Sequence, residues 1–148
     1  MRLLCVVLAS LVVLTGCTSA IAGTPTAAPV DDEWRNAVRG AVGGLGTALG
    51  PVGDAMGNND YQALRPACDA LGSYLDTMQR NVLPGPDVNV NAALQDGIDE
   101  FHGVATQCAA LTPASTPADL QRLSKSIDRA HKRIDDALKL LGIEIPKP

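Results

Sequence analysis

The chain has 148 residues, of which 46% are hydrophobic, 19% charged and 3% aromatic, and its formal net charge at pH 7 is −4. Its acidic balance, without basic residues interleaved among aromatic ones, excludes a nucleic-acid partner. Once two N-terminal segments are set aside, residues 31–148 are of a size that fits one domain.

Residues 1–16 are typical of a secretory signal peptide. The apolar run from Leu3 to Leu14 is too short to span a bilayer, which needs roughly 20 residues. The run ends in Leu14-Thr15-Gly16-Cys17, which resembles the lipobox of bacterial lipoproteins. The resemblance implies cleavage before Cys17 and attachment of a diacylglycerol to its thiol. In the alternative interpretation an ordinary signal peptide is cut nearby and Cys17 is incidental.

Residues 17–30 are uncharged and rich in Thr, Ala and Pro, which predicts an extended spacer between the lipid and the domain. This spacer and the composition, rich in Ala and Gly and poor in Lys, resemble small exported lipoproteins of the actinobacterial, mycobacterial type. The resemblance implies a cell-membrane protein, lipid-anchored on the extracytoplasmic face. Two or three acyl chains, at about 0.8 kcal/mol per buried methylene, give durable attachment.

Export also determines which cysteines can form a disulfide. Cys5 leaves with the signal peptide and Cys17 carries the lipid, so Cys68 and Cys108 remain in an oxidising compartment. We expect a disulfide between Cys68 and Cys108. Two buried free thiols are the alternative.

The first segment of the domain combines an apolar stripe with a glycine stripe. Apolar residues recur at helical steps of three and four: Trp34, Val38, Ala41, Leu45, Ala48, Val52 and Met56. Glycines recur at the same steps, about 100° round the helix: Gly43, Gly46, Gly50, Gly53 and Gly57. A stripe without side chains lets another backbone or a flat ligand approach closely, so we predict an interaction face.

The glycine stripe has two other interpretations. A loose, frayed helix is the first, because each interior glycine costs about 1 kcal/mol relative to alanine and Pro51 costs more. On either helical interpretation we expect a kink or break near Pro51. A phosphate-binding loop is the second, but such a loop follows a strand and the sequence shows none.

Three further segments have a helical apolar period. The second is expected behind an Asp60 cap as one element, with a kink or a late start at Pro66. The third precedes a turn with Pro113, and the fourth starts with Thr116 and Pro117. The apolar residues of the second are Tyr61, Leu64, Cys68, Leu71, Leu75, Met78 and Val82; those of the third are Leu94, Ile98, Phe101, Ala105 and Cys108; those of the fourth are Leu120, Leu123, Ile127, Ala130, Ile134, Ala137 and Leu141.

These segments predict an all-α fold, an antiparallel up-down-up-down four-helix bundle with one disulfide. Pro84, Gly85 and Pro86 mark the turn between the second and third helices. Cys68 and Cys108 lie at similar distances before and after that turn, so both come to one height in a helical hairpin.

Two Asp-x-x-His pairs are the only metal-like pattern. Asp99 and His102 recur as Asp128 and His131 on the next helix. Di-metal bundles use Glu-x-x-His on two helices and a Glu from each of the other two, and here no Glu lies centrally on the first or second helix. We therefore predict no metal site, with these four residues as the candidates if one exists.

Other chemistry is weakly supported. Haem held by Tyr61, His102 or His131 against the glycine stripe is conceivable by residue type alone. Hydrolase motifs are missing, and both domain cysteines are used by the disulfide, so we expect no enzyme. On the last helix one side is basic, with Arg122, Lys125, Arg129 and Lys132. This face indicates either binding to anionic lipid headgroups or cell-wall polymers, or intramolecular pairs such as Asp128–Lys132 and Asp135–Lys139.

The sequence thus predicts a lipid-anchored extracytoplasmic bundle that acts as a non-catalytic binding module of the cell envelope. The alternative is a carrier of a small hydrophobic ligand, haem or metal in the same bundle. No cofactor other than the covalent lipid on Cys17 is predicted. The partners are the membrane and an envelope protein or apolar ligand.

Overall fold

A computed structural model of the chain describes residues 31–144, and within that range it contains four α-helices and no strand. The helices are α1 (Asp32–Gly57), α2 (Tyr61–Val82), α3 (Val88–Ala109) and α4 (Pro117–Leu140). Each helix packs extensively on the next in an antiparallel up-down-up-down bundle, as predicted. The predicted signal peptide, spacer and lipidated Cys17 lie outside the described residues.

Polar side chains fix where the helices begin. Asp60 accepts hydrogen bonds from the backbone N–H groups of Gln62 and Ala63, so the predicted cap is confirmed. Thr116 and Asp119 form a capping box in which each side chain bonds the other residue's backbone N–H. The Thr116 backbone N–H and then the Thr116 hydroxyl, which both donate to the Asp119 carboxylate, lower the pKa of Asp119 below its ordinary value.

The end of α4 also follows the prediction. Gly142 has a φ of +66°, which an L side chain rarely adopts. The N–H of Ile143 then donates to the Leu138 carbonyl at 2.9 Å and closes the helix.

Pro51 and Pro66, for which the sequence predicted a disturbance of the helix, both lie inside continuous helices. α2 runs through Pro66 as one element, which was predicted. α1 also runs through Pro51, so the possible break there is wrong. The proline leaves the carbonyl of Thr47, four residues earlier, without its helical donor. Thr47 lies on the exposed side of α1, where water can serve that carbonyl, and Val52 is buried against the rest of the bundle.

The predicted apolar stripes form one core. Most of their members are buried. The core also contains hydrophobic residues outside the predicted stripes: Ala55, Val90, Val104, Leu138 and Ile143. Two members of the α4 stripe depart from the prediction. Leu120 is 37% exposed, because it lies in the first turn of α4 at one end of the bundle. Ile127 is only partly buried.

A disulfide joins Cys68 of α2 to Cys108 of α3, with their Cα atoms 5.9 Å apart. It lies near the end of the hairpin opposite the α2–α3 turn. For a sequence separation of 40, loop closure in the unfolded chain corresponds to about 4 kcal/mol of stabilisation in the chain-entropy model.

Trp34 fixes the start of α1 against the α2–α3 turn. Its indole Nε1 donates to the Val82 carbonyl at 2.7 Å, and its ring lies directly over Gly85. Asn91 also holds Gly85, because its side chain accepts from the Gly85 N–H at 2.7 Å and donates to the Gly85 carbonyl at 2.8 Å. The chain therefore enters the bundle at the end that carries this turn.

Helices α3 and α4 approach closely at Gly97. This glycine is buried, and a Cβ there would collide with the side chain of Ile134 and lie 3.2 Å from its backbone nitrogen. Gly103 on the same helix is only partly buried, and a Cβ there would meet nothing nearer than Gln107 Nε2 at 4.0 Å.

We expect Gly97→Ala to destabilise the protein by about 1–3 kcal/mol, because the new methyl group overpacks the α3–α4 contact. Gly103→Ala is the matched control and should be neutral or stabilising by up to about 1 kcal/mol, through helix propensity. Urea denaturation of both variants measures the difference. Equal midpoints would contradict the close approach at Gly97.

Candidate interaction face

The outward side of α1 is bare. Gly43, Gly46, Gly50, Gly53 and Gly57 are all exposed. A Cβ built on any of them would meet no atom within 4 Å outside the adjoining helix backbone. The stripe is therefore regular helix, not a phosphate-binding loop, and none of these glycines serves the packing of residues 31–144. Its role as an interaction face stays a prediction.

Gly44 behaves differently from its neighbours. A Cβ there would collide with the hydroxyl of Tyr74 on α2. That hydroxyl donates to the Ala41 carbonyl at 2.5 Å, and burial raises the pKa of Tyr74 above its ordinary value. Gly44 thus makes room for α2, whereas the five stripe glycines make room for nothing within the described chain.

The bare face is uncharged over most of its length. Arg39 borders it towards the start of α1 and Asp54 towards the end. The exposed residues between them are five glycines, one threonine and one proline: Gly40, Gly43, Gly46, Thr47, Gly50, Pro51 and Gly53. Arg39 donates to Asn36 Oδ1 at 2.7 Å. Neither Arg39 nor Asp54 forms a salt bridge with any residue in the range 31–144.

The two Asp-x-x-His pairs do not converge. His102 Nε2 lies 3.4 Å from Asp76 Oδ1 on α2, whereas the His131 ring packs edge-on against Phe101. Asp99 accepts a hydrogen bond from Gln95. In the part of the chain that the structure describes, no three His, Cys, Asp or Glu side chains are grouped to hold a metal ion. His102, His131, Asp99 and Asp128 therefore do not assemble a centre.

The three residues considered as haem ligands do not lie beside the glycine stripe. No side chain lies within 4 Å of a Cβ position on the glycine stripe, so Tyr61, His102 and His131 do not pack against it. Tyr61 instead lines a cavity of about 60 Å³ with Met56, Leu111, Leu120 and neighbouring residues.

The basic face of α4 is largely paired, but not as predicted. Lys132 and Lys139 both bond Asp136, at 2.6 and 3.3 Å, and hold its pKa below the ordinary value. The predicted pairs Asp128–Lys132 and Asp135–Lys139 are therefore wrong, because one carboxylate lies within reach of both lysines. Arg129 reaches across to Glu100 of α3 at 3.6 Å.

Two features were missed from the sequence. Ser126 is 1% exposed, and its hydroxyl lies 3.2 Å from Gln107 Oε1 and accepts from Arg129 at 3.0 Å. The second is an open groove of about 580 Å³ beside the α2–α3 turn, lined by Gln79, Arg80, Leu83, Pro84, Val88, Asn91, Ala92 and Gln95. The apolar Val88 beside the Pro-Gly-Pro turn was the available signal for that groove.

Adjacent glycines of α1 should respond oppositely to alanine. Gly44→Ala should cost about 1–3 kcal/mol, because the methyl group displaces the Tyr74 ring and its hydrogen bond. Gly43→Ala should instead stabilise by up to about 1 kcal/mol, since it faces open space. Denaturant unfolding measures both. A destabilised Gly43→Ala variant would contradict the exposure of the stripe.

No helix between residues 31 and 144 is both long and apolar enough to cross a bilayer. In comparisons with known proteins, no protein-family model, no curated protein and no solved structure matches the chain.

Proposed function

We propose that the protein is a lipid-anchored, extracytoplasmic, non-catalytic binding module of the cell envelope, and that it meets its partner through the bare face of α1. The anchor is the lipid on Cys17. The binding surface is the stripe of Gly43, Gly46, Gly50, Gly53 and Gly57.

The exposure of those five glycines carries the proposal. At about 1 kcal/mol each relative to alanine, the four that lie inside α1, before its last residue Gly57, cost roughly 4 kcal/mol. A domain of ordinary stability has only about 5–15 kcal/mol in total. Alanine at these positions would fit without any clash inside the described chain. Alanine at these positions would impair the close approach of a partner, because even a methyl group separates two helix backbones.

Two further observations support the proposal, one on export and one on the binding face. The Cys68–Cys108 disulfide suits an oxidising compartment. Trp34 fixes the start of α1 at one end of the bundle, and within residues 31–144 no other segment covers the glycine stripe.

The anchor is tested by Cys17→Ser in the full chain. We expect the variant to move from the detergent phase to the aqueous phase and to lose globomycin-sensitive processing, because the thiol that takes the lipid is absent. Cys5→Ser is the control and should behave as the wild type. Unchanged partitioning of Cys17→Ser would rule out lipidation at this residue.

The binding face is tested by a photo-crosslinking residue placed at Thr47, on the bare face, in the full chain in its membrane. We expect a discrete adduct, which Gly46→Leu in the same chain should reduce at least several-fold by blocking close approach. The same photo-crosslinker at Ala70, exposed on α2, is the control. Equal adducts from both positions, or none from Thr47, would reject this face.

A carrier of a small hydrophobic ligand is the second candidate, and the open groove beside the α2–α3 turn favours it. Its volume of about 580 Å³ falls within the usual range of small-molecule sites. Native mass spectrometry of protein extracted from membranes separates the two functions. A reproducible added mass supports the carrier; the bare lipidated mass, with no spectral change on adding haem or a divalent metal, rejects it.

A further inference from the structure

We propose that the partner of the bare face is a second copy of this chain, and that the two α1 helices pack antiparallel about a twofold axis that passes between Gly46 and Thr47. This inference rests on the proposed function and names its partner. The observation behind it is the charge and spacing of the outward side of α1 between Arg39 and Asp54.

The face is symmetric about that midpoint. Gly43 lies three residues before Gly46, and Gly50 lies three residues after Thr47. Gly40 and Gly53 lie six residues away on the two sides, and both are exposed with open space above them. A twofold interface uses the same patch on both copies, so the patch must be complementary to itself. In an antiparallel pair, each of these glycines comes level with another glycine.

The charges follow the same symmetry with opposite signs. Arg39 lies seven residues before Gly46 and Asp54 lies seven residues after Thr47. An antiparallel pair therefore brings Arg39 of each copy level with Asp54 of the other, giving two ion pairs at the rims of an uncharged contact. A parallel pair would instead place Arg39 beside Arg39 and Asp54 beside Asp54, and like charges repel.

Within the described residues neither side chain is engaged in an ion pair, and the one side-chain bond of Arg39 is to the neighbouring Asn36. Arg39 and Asp54 are exposed and make no salt bridge there. Between Gly40 and Gly53 the face rises about 20 Å along the helix at 1.5 Å per residue. Glycines occupy most of the contact and Thr47 is the small side chain beside the axis, so the two backbones can come close enough for Cα–H···O contacts at the glycines.

The expected contact is small. Stable complexes bury about 1,200–2,000 Å² in total, and one helix from each copy reaches at most the low end of that range. Attachment to one membrane compensates, because tethering raises the effective concentration of each copy for the other. The dimer should therefore form in the membrane and dissociate when the protein is diluted in detergent.

Cysteine cross-linking in native membranes tests the geometry. Thr47→Cys in the full chain should form a disulfide-linked dimer with a mild oxidant, since both copies of this residue lie beside the axis. Gly43→Cys should cross-link with a co-expressed, differently tagged Gly50→Cys, but poorly with itself. Two copies of residue 43 would be about 10 Å apart along the helices, beyond the 4.4–6.8 Å that a disulfide allows between Cα atoms. Ala70→Cys on α2 is the control.

Charge reversal tests the pairing. In the Thr47→Cys background, Arg39→Asp should lower the cross-linked fraction about fivefold or more, and adding Asp54→Arg should restore it. Arg65→Asp, an exposed reversal on α2, should change nothing. Arg39 and Asp54 are both exposed, so unfolding midpoints should stay within the usual range for surface changes.

The outcomes separate this inference from the proposed function. A Gly43→Cys dimer that excludes Gly50→Cys would mean parallel packing and overturn the inference, as would a double reversal that does not restore cross-linking. A photo-adduct at Thr47 with a different protein, without any Thr47→Cys dimer, would leave the proposed function standing and remove the second copy as partner. Absence of both products removes both.

Discussion

The bundle depends on large side chains seated directly on glycines. Tyr74 covers Gly44 and so joins α1 to α2, Trp34 covers Gly85 and joins α1 to the α2–α3 turn, and Ile134 covers Gly97 and joins α3 to α4. The chain has few aromatic residues, so burial of large rings cannot by itself hold its helices together. Close packing over glycine lets each of these large residues make many contacts, and the disulfide completes the α2–α3 pair.

Covered and bare glycines therefore have opposite consequences within one helix. A glycine with a large side chain packed over it cannot be replaced without a clash, so the packing offsets the low helix propensity of that glycine. A bare glycine loses propensity and gains nothing inside the described chain. Gly44 and Gly43 are adjacent in sequence and fall on the two sides of this division, because the helix turns by about 100° per residue. That contrast makes the outer side of α1, rather than any cavity, the surface that requires an explanation outside the bundle.

The sequence predicted the helices, their order and the cysteine pair, because apolar spacing of three and four reports directly which side of a helix is buried. Caps such as Thr116 were equally legible, since they act through residues two or three positions away. Other features depended on atoms distant in sequence. Nothing near Gly44 shows that Tyr74 lies over it. The choice of Asp136 by both Lys132 and Lys139 was missed for a related reason, since spacing alone offered several carboxylates and the side-chain geometry selected one. The continuity of α1 through Pro51 depended on packing of the opposite face against α2.

The proposed pairing also determines how the bundle lies on its membrane. Two copies anchored in one leaflet are related by a twofold axis along the membrane normal, and an antiparallel helix pair has its twofold axis perpendicular to the helices. Both conditions hold only when α1 lies parallel to the membrane plane. α1 is 26 residues long, or about 39 Å, so an upright antiparallel pair would hold one chain entry about that far above the other. Residues 17–30 can span at most about 45–50 Å, which would nearly exhaust the reach of one copy and leave the other slack. In the flat arrangement both copies enter at the same height, so the anchors are equivalent and the symmetry of the glycine face can be realised on a membrane surface.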